Sequence, residues 1–147
     1  MPFRVSVDDG TSLSARSVVI AAGARNRRLD LPELPRFEGQ GVHYAATSLE
    51  GRLCGGRHAI VVGGGNSAGQ AAVFLSGKAR HVHMLVRGVV LAATMSDYLV
   101  RRIVNSPQIT LHLHMEVTGL IGDQSLKKFA GGRTVSRQCT PLPIYFL

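Results

Sequence analysis

Apolar and polar positions follow one another along the chain in patterns that set out its elements. Residues 3–7 alternate as a strand does, Asp8-Asp9-Gly10 gives a turn signal, and residues 11–15 read as the returning arm of a hairpin. Ser17-Val18-Val19-Ile20-Ala21 is an unbroken run rich in β-branched residues, and it predicts a second, buried strand ending at Ala22-Gly23-Ala24. Over residues 25–35 the pattern dissolves, and Arg27, Arg28, Pro32 and Pro35 mark an extended connector. Residues 37–56 are mixed and glycine-rich, as in a crossover between two units.

A more regular stretch follows. Ala59-Ile60-Val61-Val62 predicts a buried parallel strand that runs straight into Gly63-Gly64-Gly65. Ala68, Ala71, Ala72 and Leu75 then recur at helical spacing, with Gly77 as the stop. Residues 81–86 predict the next parallel strand. Ser96 is placed to cap a helix running to about Asn105, with Leu99 and Ile103 on one face and Pro107 beyond its end. Ile109, Leu111 and Leu113 alternate with Thr110, His112 and His114, a third strand with one wetter face. Residues 115–122 open a further strand. After Asp123 no period is visible, so residues 124–147 are expected to form an irregular tail. Strand, helix, strand, helix, strand is the order of an α/β fold built on a parallel sheet.

The junction at residues 63–68 is where chemistry enters. Gly63, Gly65 and Ala68 fit the spacing G-x-G-x-x-A, placed after a strand and before a helix. The first glycine permits the tight turn, the second lets backbone approach a pyrophosphate, and the small third residue lets helix and strand pack closely. N–H groups at the helix start then face the phosphates along the helix dipole. Gly63, Gly64, Gly65, Asn66, Ser67 and Ala68 are therefore the candidate dinucleotide-binding residues, and the unit reads as Rossmann-like. About 20 residues past the glycines, a carboxylate would favour NAD and an arginine a 2′-phosphate. Arg87 stands there, which favours NADP(H).

Composition narrows the class. A chain of 147 residues that is 45% hydrophobic has the size and make-up of an ordinary globular domain. It contains no apolar run near the roughly 20 residues of a membrane helix and opens on no apolar leader, so the expectation is a cytoplasmic protein without a membrane partner. Cys54 and Cys139 form neither a C-x-x-C nor a zinc spacing and read as reduced structural thiols. The net charge of +8 raises nucleic-acid binding, but the basic residues come in scattered pairs (Arg27-Arg28, Arg101-Arg102, Lys127-Lys128) without a recognition signature. No nucleic-acid partner is expected.

Two other constellations compete. His81-x-His83 and His112-x-His114 would each place two imidazoles on one strand face, a spacing that can chelate zinc. No Cys, Asp or Glu joins them at metal spacing, and no metal is assigned. Gly65-Asn66-Ser67-Ala68-Gly69 also fits the G-x-S-x-G turn of a serine hydrolase with Ser67 as nucleophile. No HGGG-type segment accompanies it, and the later acids Asp97, Glu116 and Asp123 are poorly ordered against the histidines.

With these motifs in hand, the chain resembles the central part of a low-molecular-weight thioredoxin reductase, one of the flavoproteins with two dinucleotide-binding domains. The resemblance covers residues 3–123. Ser17-Val18-Val19-Ile20-Ala21-Ala22-Gly23-Ala24 resembles the A-T-G-A segment that closes the first half of the FAD domain, with Ala22 in place of Thr, and it implies FAD contacts at Ala22 and Gly23. Residues 59–68 resemble the family's NADPH pyrophosphate loop, with Ser67 in place of Thr. Three departures follow. The family's C-A-T-C redox pair is matched by Ala45-Ala46-Thr47-Ser48, without sulfur, which excludes ordinary disulfide exchange at that place. The family's H-R-R is matched by Val86-Arg87-Gly88, so only the middle arginine is kept. The N-terminal glycine fingerprint and the C-terminal flavin segment of the FAD domain are not found. The resemblance thus implies a fragment of an FAD-dependent NAD(P)H oxidoreductase. Residues 1–36 would be a remnant of the FAD-binding domain, 37–56 a crossover linker, 57–123 the NAD(P)H-binding domain and 124–147 the tail. No side chain stands out as an acid, base or nucleophile for hydride transfer. The expected partners are the dinucleotide, a redox protein or the missing flavin-domain segments, with a homodimer left open. The alternative is a nucleotide-binding regulatory module without catalysis.

Overall fold

The computed structural model describes residues 2–23, 26–91 and 93–133, together with the backbone of two short strands near the C-terminus. Its centre is the alternation expected at residues 58–113. Strand β3 (His58–Val62), helix α3 (Asn66–Ser76), β4 (His81–Val86), helix α4 (Asp97–Val104) and β5 (Ile109–Leu113) follow one another, and the three strands are parallel neighbours. A short strand β9 (Tyr145–Phe146) joins the other edge of β3, so the sheet order is β5-β4-β3-β9.

Residues buried on both faces explain why β3 reads as a solid apolar run. Ala59 and Val61 meet Ala72, Leu75, Leu99 and Ile103 of the two helices, together with Val82, Met84 and Val86 of β4. Ile60 and Leu85 point the other way, into a second cluster with Val117, Leu120, Leu126 and Phe129. The layer over that face is an antiparallel sheet of β6 (Met115–Gly122), β7 (Leu126–Arg133) and β8 (Leu142–Pro143). Residues 115–122 are a strand as expected, but of this separate sheet.

Four further expectations are corrected. Residues 126–133 form a strand where an irregular tail was expected. Register shifts at Val117/Gly119 and Ile121/Gly122 break the two-residue period by which a strand is recognised. The run at residues 17–21 forms no strand, and Val18, Val19 and Ile20 are exposed, because no described strand lies beside it. A short helix α1 (Leu34–Phe37) ends the stretch expected to be an extended connector, and the crossover holds another, α2 (Ser48–Leu53). Ser96 stands at the N-cap of α4 without a capping side-chain bond; its N–H donates instead to Asn66 Oδ1. The N-terminal hairpin has the expected form, β1 (Phe3–Ser6) against β2 (Ser12–Ala15), with Val5 opposite Leu13. No helix among the described residues is long and apolar enough to cross a membrane.

Candidate functional site

The glycine turn leaves β3 at its C-terminal end. Gly63 N–H still donates to Leu85 O at 3.0 Å, so the residue remains in the parallel ladder with φ at +142°, a conformation that strains any side chain. A Cβ at Gly63 would lie 3.1 Å from the Cβ of Ala68, the close approach of strand and helix that the small third residue allows. A Cβ at Gly64 would come within 2.9 Å of Val86 Cγ1, on the neighbouring strand. Gly65 differs. Its added Cβ would find nothing nearer than Thr94 O at 3.9 Å, so space is open beside it.

Gly65 is also the N-cap of α3, and no side chain caps that helix. Its first N–H groups are left for another acceptor, and the positive end of the helix dipole points the same way. Asn66, which could have turned inward, accepts from Ser96 N–H at 2.8 Å. Thr94 Oγ1 donates to Gly64 O at 2.8 Å. Together these bonds pin the segment after β4 against the turn, and Met95, buried at 5% exposure, lies over Gly69. Thr94 is a bracing residue that no local sequence signal announces, because its partner is 30 positions away.

The turn opens onto a cavity of about 2020 Å³. Gly63, Gly64, Gly65, Asn66, Ser67, Ala68 and Arg87 all line it, as do Arg28, Tyr44 and Glu116. Tyr44 and Arg28 are held in one wall by a shared carboxylate. Arg28 Nε donates to Glu38 Oε1 at 2.9 Å with a second, shorter contact to Oε2, and Tyr44 Oη donates to Glu38 Oε1 at 2.5 Å. Those bonds hold the Glu38 carboxyl below its ordinary range, Tyr44 first and Arg28 second. Arg87 is exposed and has no hydrogen-bond or ion-pair partner among the described residues. Ala22 and Gly23 are elsewhere. Both are exposed, neither lines the cavity, and Gly23 has nothing within 4 Å of a built Cβ.

Where a redox pair would stand, Ala45 and Ala46 line the cavity. Thr47 closes a capping box on α2. Its hydroxyl accepts from Leu49 N–H at 3.2 Å, and Glu50 Oε2 accepts from Thr47 N–H at 2.9 Å. The T-x-x-E spacing was legible in the sequence and would have located that helix. Cys54 is buried and burial pushes its thiol up, away from the reactive thiolate. Cys139 lies outside the described residues.

The histidines gather on the opposite face of the sheet from the helices. His81 and His83 share a face of β4 as expected, but His114 falls in a turn after β5 with φ at +56°, so the His112-x-His114 pairing dissolves. Among the described residues no three ligating side chains are placed to hold a metal. No hydrogen bond joins Ser67 to an imidazole among the described residues, which leaves a hydrolase reading without its base.

Comparison with known proteins gives the family and the fold. Residues 3–139 match the model of the family described as pyridine nucleotide-disulphide oxidoreductase. A thioredoxin reductase of Mycoplasma genitalium is 31% identical over 142 residues, covering 97% of this chain and 44% of the relative. An NADH dehydrogenase of Bacillus subtilis is 32% identical over 124 residues, 84% of this chain and 24% of the relative. In fold, the chain superposes on the crystal structure of Lactococcus lactis thioredoxin reductase with a TM-score of 0.78 at 21% identity, covering 99% of this chain and 48% of that one. The chain thus spans less than half the length of each of these proteins.

Proposed function

The chain belongs to the pyridine nucleotide-disulphide oxidoreductase family, and from that premise we propose that residues 57–123 bind NADP(H) as one portion of a flavin-dependent reductase. The whole protein would pass a hydride from NADPH to FAD without a redox disulfide of its own. The observation that carries the reading is the uncapped start of α3 behind Gly65, open to a cavity of about 2020 Å³. The glycine turn, the start of α3 and Arg87 line that one cavity.

The residues present fit the pyrophosphate and the adenosine 2′-phosphate of NADP(H). N–H groups of Asn66, Ser67 and Ala68 would hold the pyrophosphate, Gly65 keeps the approach clear, Gly63 and Gly64 let the turn pack against Ala68 and Val86, and Thr94 and Asn66 keep the turn rigid. Arg87 would take the 2′-phosphate through charge-assisted hydrogen bonds. Because relatives of this family include an NADH dehydrogenase, the choice of NADP over NAD rests on that one side chain. Bound nicotinamide supplies the hydride; the chain's own residues bind, orient and exclude water, and none acts as acid or base.

The flavin side does not fit this chain by itself. Ala22 and Gly23, assigned to FAD by resemblance, are exposed and lie outside the cavity. The flavin-domain segments join a redox protein as the proposed polypeptide partners in a cytoplasmic setting. The same exposure favours a second reading, a nucleotide-binding module without hydride chemistry. Calorimetry on the full chain with NADP⁺ and NAD⁺ tests the binding: the expected result is saturable heat with NADP⁺ the tighter ligand, abolished by Gly65→Val. Absence of heat with both would overturn it. A flavin absorbance band bleached by NADPH separates the reductase from a colourless module.

A further inference from the structure

Three strands of the parallel sheet are joined by imidazoles. His58 Nδ1 of β3 lies 3.2 Å from His83 Nε2 of β4, and His83 Nδ1 lies 3.1 Å from His112 Nε2 of β5. The rings of His58 and His83 are stacked, 5.4 Å apart and 13° from parallel. His81, the fourth member, is turned aside, with its Nε2 2.8 Å from Thr110 Oγ1. All four residues are half-buried.

A neutral imidazole has one N–H and one bare nitrogen. Each ring-to-ring contact needs one hydrogen, and His83 takes part in both. It must donate through one nitrogen and accept through the other. The hydrogens then run in one direction, on Nδ1 of all three rings or on Nε2 of all three. One added proton fits this scheme, either at the donating end, whose outward nitrogen is bare, or on His83, once that end ring has changed tautomer and both end rings accept. A second has no place. With His58 and His112 both charged, two N–H groups point at His83, which has a single acceptor. With His83 and one end ring charged, two N–H groups face each other.

We propose that His58, His83 and His112 form a ladder that accepts one added proton and breaks on the second, making the tie between β3, β4 and β5 sensitive to acid. The strands so tied run into Gly63 and Arg87, so the device sits under the cavity wall. The surroundings support it. Burial, then His112, His81 and His58, push His83 down to about 4, and burial followed by His81 pushes His112 down. The layer on that face brings apolar Val117, Leu120, Leu126 and Phe129. Of its charged residues, Glu116 and Arg133 line the cavity, and Lys127 and Lys128 are exposed. Tyr145 of β9 has its side chain outside the described residues. Among the described residues no carboxylate acts on His83 or His112 to offset a second positive charge. A folded-state value below the ordinary 6.5 means that the unfolded chain binds more protons. Stability is therefore full above about 6.5 and lost as pH falls toward about 4.

Long-range ¹H–¹⁵N NMR of the histidine rings in the full chain tests the ladder. Above pH 7 all three rings should show the same tautomer. On acidification the first added proton should leave the amide signals of β3, β4 and β5 in place, and the second should shift them as the ring-to-ring contacts break. In His83→Leu the ladder is absent, and charging of both end rings should no longer shift the amide signals of β3, β4 and β5. Mixed tautomers in the wild type overturn the proposal. So does full charging of both His58 and His112 while the amide signals of β3, β4 and β5 stay unchanged. Should His83→Leu fail to fold, the wild-type titration alone decides.

Discussion

Ala59, Ile60 and Val61 are 0–2% exposed, whereas Val18, Val19 and Ile20, a run of much the same residue types, are 47%, 88% and 86% exposed. The first run has a strand on each edge, two helices over one face and the β6–β7 layer over the other. The second has no strand beside it among the described residues. A β-branched run states a demand for burial, and only the elements around it can meet that demand. The nearby hairpin repeats the lesson. Phe3, Val5 and Leu13 are exposed on it, although β1 and β2 pair in good register.

The sharpest way to break this comparison is to truncate the buried member. Ile60→Ala should destabilise the chain by about 2–5 kcal/mol in urea unfolding, the usual cost of emptying a packed core site. A loss below about 1 kcal/mol would mean that β3 is not the centre of the core. Next is the ligand end of the same unit. Arg87→Ala should weaken NADP⁺ by about 10- to 150-fold in calorimetry, the worth of a charge-assisted hydrogen bond, with NAD⁺ little changed. Equal losses for both nucleotides would remove Arg87 from the 2′-phosphate. Gly63→Ala places a side chain at φ +142° and should lower stability by about 1–3 kcal/mol in thermal unfolding; an unchanged midpoint would deny the strained turn. Thr47→Ala removes the cap of α2 and should lower stability by about 1 kcal/mol without altering nucleotide affinity. A parallel loss of affinity would give that stretch a role beyond capping. Smallest of all, Ile20→Ala should change urea unfolding by no more than about 0.5 kcal/mol. A cost like that of Ile60→Ala would show the second run buried after all.

Much of the central unit was legible from local pattern. The β3 run, the three glycines, the alanines of α3 and Gly77 are consecutive, and each carries its own physical signal. The candidate dinucleotide residues Gly63 to Ala68 were read from spacing alone, and all line one cavity together with Arg87. Signals of longer range were not legible. Strand β7 hid behind bulged pairing with β6. The brace from Thr94 to Gly64 joins residues that share no pattern, whereas the T-x-x-E box at Thr47 is a local signal.

What the sequence determined by itself was the set of local conformations: where backbone must extend, turn without a Cβ, or coil with small residues inward. Those depend on φ/ψ sterics and on the spacing of neighbouring side chains, which the order of residues fixes directly. Tertiary structure alone decided which apolar runs are buried, that His58, His83 and His112 touch across three strands, and that a cavity opens beside Gly65. Each is a relation between residues distant along the chain, and burial and contact exist only once the elements have packed.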